Sequence, residues 1–229
     1  MDLKQNIIRT AYKLFAEKGY EKTTVSEIIE SVGSSKGGFY HHFKSKDEVL
    51  EAITINYIKD LVRYYEKMQE KNVESTIESL NNVFITINKC KANKIEEWPE
   101  IGKIYSFNGN NTILRKMAEE FEIVTTELYK KLIIQGNEEG IFNVKYPEYL
   151  AGLWTRELIR IYSIIPQIIL AKDTKKYVEF TELLKFSEEL INGALGFDTN
   201  KIKIKEEALS YVKYCRDQFS KQDNYKGGS

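Results

Sequence analysis

The 229-residue chain is poor in the features that would commit it to most chemistries. It has three prolines, Pro99, Pro147 and Pro166, and no stretch that alternates apolar and polar residues as a half-buried strand does, which argues against a sheet protein. Its two cysteines, Cys90 and Cys215, are too few for a disulfide framework, so a reduced, cytoplasmic setting is expected. The two histidines, His41 and His42, are neighbours and would point apart on a helix, a poor start for a metal site. There is no Gly-x-Ser-x-Gly and no metal-ligand spacing, so neither an enzyme nor a bound metal or cofactor is expected. The most apolar stretch, Ile161 to Ala171, is broken by Ser163, Pro166 and Gln167 and is too short to cross a bilayer. Met1 to Asn6 lacks an apolar signal core, no membrane partner is expected, and Gly227-Gly228-Ser229 reads as a flexible tail. Net charge is absent too: 34 Lys and Arg balance 34 Asp and Glu, so any surface for nucleic acid must be local.

What the chain does have is helical periodicity almost throughout. Ile7, Ile8, Ala11, Leu14 and Phe15 form one apolar stripe that Gly19 stops. Thr23 or Thr24 caps a short helix bearing Val25, Ile28, Ile29 and Val32, and Gly33 ends it. Ser34 or Ser35 caps a third helix from Lys36 to about His42. Lys46-Asp47 opens a long fourth helix. Further helices are expected over about 73–91, a short one near 99–105, a long one from Leu114 to before Gly140, one from Pro147 to about Leu170, and one over 174–195. A turn is expected at 107–111, and a last amphipathic segment carries Ala208, Val212, Cys215 and Phe219. The fold class is therefore all-α.

Residues 19 to 50 carry the chemistry. Two short helices joined by a tight turn at Gly33 make a helix-turn-helix, which lays its second helix in the DNA major groove. That second helix, Lys36-Gly37-Gly38-Phe39-Tyr40-His41-His42, tolerates two glycines that each cost a helix about 1 kcal/mol relative to Ala, an arrangement that suits a backbone approached closely by a partner. Between Ser31 and Lys46 there are three lysines, Lys36, Lys44 and Lys46, and no acid. A local cationic patch beside helix N-termini suits phosphate. The run Gly33-Ser34-Ser35-Lys36-Gly37 is not a nucleotide-phosphate loop, because the Gly-Lys-Ser/Thr ending and a preceding strand are missing.

In order and spacing, Thr23-Thr24-Val25, Ile28-Ile29, Gly33-Ser34-Ser35-Lys36-Gly37, Phe39-Tyr40, His42-Phe43, Lys46-Asp47 and Leu50 resemble the DNA-binding segment of the TetR family of bacterial transcription regulators, above all its drug-responsive members. The resemblance implies a three-helix DNA-binding domain over residues 1–47, a helical ligand-binding and dimerisation domain over 48–197, and an extension over 198–229 with one amphipathic helix. It implies that Lys36 and Gly37 reach base edges, that Tyr40 touches a thymine methyl or a phosphate, and that Thr24, Ser35, His42 and Lys46 hold phosphates. Gly38 departs from the family pattern, which places a small or polar side chain there.

The function expected is a homodimeric repressor of double-stranded operator DNA with inverted-repeat symmetry, released by a small, largely apolar or aromatic effector; the alternative is a ligand-independent regulator or nucleoid-associated protein of the same fold. Aromatic residues of the larger domain, Trp98, Tyr105, Phe107, Phe121, Trp154 and Tyr162, are the candidate ligand contacts, with plain core packing as their rival. Glu157 shares a face with Leu153 and Ile161; directed inward it would favour a cationic ligand, but its neighbours Arg156 and Arg160 point to a surface network. The surplus of apolar residues over 150–195 predicts a two-fold helical interface that includes Ile165, Ile169, Leu184 and Ile191. Pro166 is expected to bend its helix.

Overall fold

The computed structural model describes residues 2–69, 75–97, 111–171 and 173–226, and among them it is helical without a strand. The helices are α1 (Leu3–Lys18), α2 (Val25–Val32), α3 (Lys36–His42), α4 (Lys46–Gln69), α5 (Thr76–Glu97), α6 (Asn111–Glu138), α7 (Pro147–Leu170), α8 (Thr174–Ala194) and α9 (Lys205–Lys226). The segments expected as a short helix near 99–105 and a turn at 107–110 lie outside the described residues. The chain divides into two compact units, residues 1–62 with 93–121, and residues 63–92 with 122–229.

In the first unit the apolar stripe of α1 is buried as its spacing requires: Ile7, Ile8, Ala11, Tyr12, Leu14 and Phe15 face inward. Gly19, at φ 89°, ends the helix in a conformation few side chains adopt. Thr24 caps α2 in a reciprocal box: its hydroxyl accepts the Glu27 N–H at 3.2 Å, and the Glu27 carboxylate accepts the Thr24 N–H at 2.8 Å. At the other end Gly33 is left-handed, and the N–H groups of Gly33 and Ser34 close onto the carbonyls of Glu30 and Ile29. Phe39, Phe43, Ile28, Val49 and Leu50 complete a core that seats α3 against α1 and α2.

In the second unit α7, α8 and α9 pack on one another. Pro147 occupies the first turn of α7, where its missing N–H costs nothing. Helical assignment continues through Pro166 to Leu170. Between α6 and α7, the Asn137 side chain braces the chain by donating to the Val144 carbonyl and accepting the Val144 N–H, both at 2.8 Å. Gly136 lies under the Phe142 ring so closely that a Cβ would meet it at 2.1 Å. The segment after α8 is held in detail. Asn192 accepts the N–H groups of Lys201 and Ile202, Glu188 accepts those of Ile204 and Lys205, and Asn81 of α5 donates to the Lys201 carbonyl while accepting the Lys203 N–H. The last helix, α9, therefore packs on its own subunit, with Ala208, Val212 and Cys215 buried and Arg216 donating to the Ile168 carbonyl at 2.7 Å.

Candidate nucleic-acid interface

The geometry of α3 follows from its cap and its one large core residue. Ser35 sits in extended backbone and accepts the Gly38 N–H at 3.0 Å, which starts the helix and directs its first turn outward. Phe39 is fully buried, with its ring 6.1 Å from Phe43, and fixes the helix's rotation. That rotation leaves Lys36 and Gly37 exposed and Tyr40 54% exposed along one flank of the helix. A side chain at Gly37 would meet only the Ser35 hydroxyl, at 3.8 Å, whereas at Gly38 it would press on the Ser34 hydroxyl at 2.6 Å. The two glycines thus differ: a side chain at Gly38 would make the Ser34 hydroxyl turn aside, and one at Gly37 would displace nothing.

The remaining residues flank this surface. Thr24 is exposed, and its hydroxyl is already engaged in the α2 cap. A 2.9 Å ion pair with Lys18 and the hydrogen bonds of that cap hold the Glu27 carboxyl down at about 2. His42 is half-buried with its ring 5.0 Å from that of His41, edge to face. Lys46 donates to the carbonyls of Tyr20 and Thr23 at 2.8 and 3.0 Å. Two of its three ammonium protons are so occupied, and the ammonium also lies over the Tyr20 ring. Spacing alone did not reveal this second, structural duty. The exposed residues Lys36, Gly37 and Tyr40, with Ser35 at the helix start, thus lie on one short helix whose surroundings supply positive charge, an arrangement able to enter a groove and touch both bases and backbone.

The residues expected to bind a ligand scatter. Trp98, Tyr105 and Phe107 lie outside the described residues. Phe121, in the first unit, is buried. Tyr162 donates to Asn88 at 2.6 Å and its face is covered by the Lys91 ammonium, 3.2 Å from the ring centroid, so its polar tip and one face are occupied by the protein itself. Glu157 accepts two hydrogen bonds from Arg160, at 2.8 and 2.5 Å, and one from the Ser187 hydroxyl. Burial alone would raise its pKa, but these donors hold the carboxyl below its ordinary range. The network around Glu157 leaves no observation that turns it toward a cationic ligand. Trp154 is buried, stacked on Tyr129 at 4.2 Å.

The interface residues need correction. Leu184 and Ile191 are fully buried within the subunit and Ile165 nearly so, because α8 uses that stripe to pack on α7 and α9; Ile169 is half-buried. The apolar surface that α8 leaves outside is Val178, Phe186 and Leu190, of which Phe186 is 58% exposed. The apolar surplus was legible, but periodicity alone did not say which stripe faced out. Among the described residues no helix is long and apolar enough to cross a membrane, and no group of His, Cys, Asp and Glu is arranged to hold a metal ion.

Comparison with known proteins bears on the family and the fold. Residues 7–53 match the family described as bacterial regulatory proteins, tetR family. The Transposon Tn10 TetC protein of Escherichia coli is 30% identical over 132 residues, 52% of this chain and 67% of that one. The HTH-type transcriptional repressor KstR2 of Rhodococcus jostii is 26% identical over 153 residues, 66% of this chain and 73% of that one. Other matches are local: the HTH-type regulator YerO of Bacillus subtilis is 49% identical over 55 residues, and this chain covers 19% of its length. A TetR-family regulator from Syntrophomonas wolfei, 21% identical, superposes with a TM-score of 0.58 over 82% of this chain and 94% of that structure and shares the fold. The helix-turn-helix in residues 7–53, the all-helical fold and the TetC likeness together show that the chain belongs to the TetR family of bacterial transcription regulators.

Proposed function

We propose that the chain is a homodimeric repressor that binds an inverted-repeat operator and is released by a small, largely apolar effector. The observation that carries this reading is the exposed edge of α3, where Gly37 keeps an unobstructed, side-chain-free backbone beside Lys36 and Tyr40. Lys36 donates to guanine O6 or N7, Gly37 allows close approach, and Tyr40 contacts a thymine methyl or a phosphate. Ser35, His42 and Lys46 contact the backbone, and Thr24 does so through the N-terminus of the helix it caps. KstR2, a repressor by name, supports the sign of regulation. Residues 1–47 read DNA, residues 48–197 bind effector and partner, and residues 198–229 add α9 to the second unit. The exposed Val178, Phe186 and Leu190 edge of α8 supplies the dimer surface. Effector binding favours a state in which the two copies of α3 no longer match successive major grooves.

The test is an unbiased selection of bound DNA by the purified full chain. It should yield an inverted repeat whose half-sites lie ~34–36 Å apart or a multiple of that. A single asymmetric element would reject the two-fold reading. Operator affinity unchanged across a library of small apolar molecules would favour a ligand-independent regulator instead.

A further inference from the structure

Five polar side-chain atoms of α6 and α7 are buried without a hydrogen-bond partner: Oγ1 of Thr125 and Thr126, Oη of Tyr129, Nε1 of Trp154 and Oγ1 of Thr155. Buried polar groups are nearly always paired in folded proteins, so a concentration of exceptions on two neighbouring helices calls for a physical account. A buried helical threonine ordinarily returns its hydroxyl to the carbonyl four residues back. Thr181 does so in this unit, donating to the Tyr177 carbonyl at 2.9 Å. Thr125, Thr126 and Thr155 do not.

Two of the five groups mark where the helices meet. The Tyr129 and Trp154 rings stack at 4.2 Å with 18° between their planes, which joins the two helices at that level. Thr125 lies one helical turn before Tyr129, and Thr155 follows Trp154 in the chain. Thr125, Tyr129 and Thr155 are fully buried and Trp154 is 1% exposed. Burial pushes the Tyr129 phenol well above its ordinary range, so it stays a neutral donor and acceptor.

Their chemistry restricts what could satisfy them. Four are hydroxyls, able to donate or accept, and the indole N–H of Trp154 can only donate. None carries charge. Several ionised groups close by in the sequence are already paired: Arg156 with Glu122 at 3.2 Å, Lys130 with Glu127 at 3.2 Å, and Arg160 with Glu157 at 2.5 Å. An ion delivered to this seam would lose its water without gaining a counter-charge. A neutral molecule with oxygen acceptors on an apolar frame would satisfy it.

Resting on the effector reading above, we propose that the α6–α7 seam is where the effector's polar end binds, and that this end is uncharged and rich in acceptor oxygens. The Trp154 indole N–H and the hydroxyls of Thr125, Tyr129 and Thr155 donate to it.

The experiment uses the full chain with labelled indoles, in which Trp154→Phe assigns the two tryptophan N–H signals. Three probes of similar size are titrated at millimolar concentration: acetophenone, benzoate and benzylammonium. Acetophenone should shift the Trp154 N–H signal saturably, and the two ions should leave it in place. The double variant Thr125→Val/Thr155→Val should bind acetophenone about fivefold more weakly for each hydrogen bond lost. It should also melt at a higher temperature than the parent, because it removes two buried hydroxyls that lack partners. The inference is overturned if acetophenone leaves the signal unmoved, if either ion shifts it equally, or if the variant melts lower. Operator binding is followed in the same samples. A saturated Trp154 signal with unchanged operator affinity keeps the site and rejects the effector reading; operator release with an unmoved Trp154 signal does the reverse.

Discussion

The Lys46 ammonium lies 4.2 Å above the ring of Tyr20 and donates to that residue's own carbonyl at 2.8 Å, while the Tyr20 hydroxyl donates to Asp47 at 2.6 Å. Two consecutive residues at the head of α4 thus grip the turn after α1. Lys46→Ala should therefore weaken the fold as well as DNA binding. A charge-assisted, part-buried hydrogen bond contributes about 1.5–3 kcal/mol, so chemical denaturation should register a loss on that scale. Operator and scrambled DNA should weaken alike, and the slope of log K against log salt should fall by about 0.9 per lost phosphate contact, or about twice that in a dimer. An unchanged slope would confine Lys46 to the fold.

Lys36 should behave differently, since it is exposed and the proposal gives it a base edge. Lys36→Ala should cost about 1–3 kcal/mol on the selected operator and relax preference at one position per half-site. Equal weakening on operator and scrambled DNA, measured over several salt concentrations, would reduce Lys36 to a phosphate contact.

Gly37→Ala separates folding from reading. The added methyl meets nothing closer than the Ser35 hydroxyl at 3.8 Å, so the helix should gain about 1 kcal/mol of stability from the better helix former. Operator affinity should nonetheless drop by about 1–3 kcal/mol, the scale of a lost base contact. Gains in both stability and affinity would show that no partner backs onto this glycine.

Phe186→Glu should yield a monomer at micromolar concentration with helical content unchanged, because the ring is 58% exposed in the subunit. Leu184→Asp should instead unfold the subunit, since its side chain is fully buried and a lone carboxylate there costs several kcal/mol. Sedimentation and circular dichroism on both variants decide the matter, and a dimeric Phe186→Glu protein would move the interface elsewhere.

Lys91 gives a pH signature. Burial pushes its ammonium down to about 7, against an opposing pull from Cys215 and Cys90. Between pH 7 and the ordinary lysine value of 10.5 the unfolded chain holds a proton that the folded one has released, so this residue's contribution to stability rises with pH across that window. Below pH 7 both states are charged and the cost of burial is felt in full. Lys91→Met should therefore raise the melting temperature at pH 6 and raise it less at pH 10. A gain that is the same at both values would mean that the amine titrates alike in the folded and unfolded chain.

The helix-turn-helix was legible because local rules decide it. Thr24, Gly33, Ser35 and Phe39 each act within a few residues, and each adopts the role its type and position predict. The second unit was less so. Leu184 and Phe186 are both apolar and two residues apart, and only the packing of α8 on α7 and α9 makes one core and the other surface. The aromatic side chains stand out in the sequence, whereas the unpaired hydroxyls of Thr125 and Thr155 show only once the packing around them is known. The structural duty of Lys46, at carbonyls 23 and 26 residues earlier, has no sign near it in the sequence.

The bonds from Asn81 to Lys201 and Lys203 span 120 and 122 residues of chain. During synthesis at 5–20 residues per second, roughly 6–24 s must pass before α5 meets the segment that completes it. Through that interval the Asn81 side chain has neither the Lys201 carbonyl nor the Lys203 N–H to bond, and water takes their place. The brace between α5 and the segment after α8 is therefore among the later contacts that the emerging chain can make.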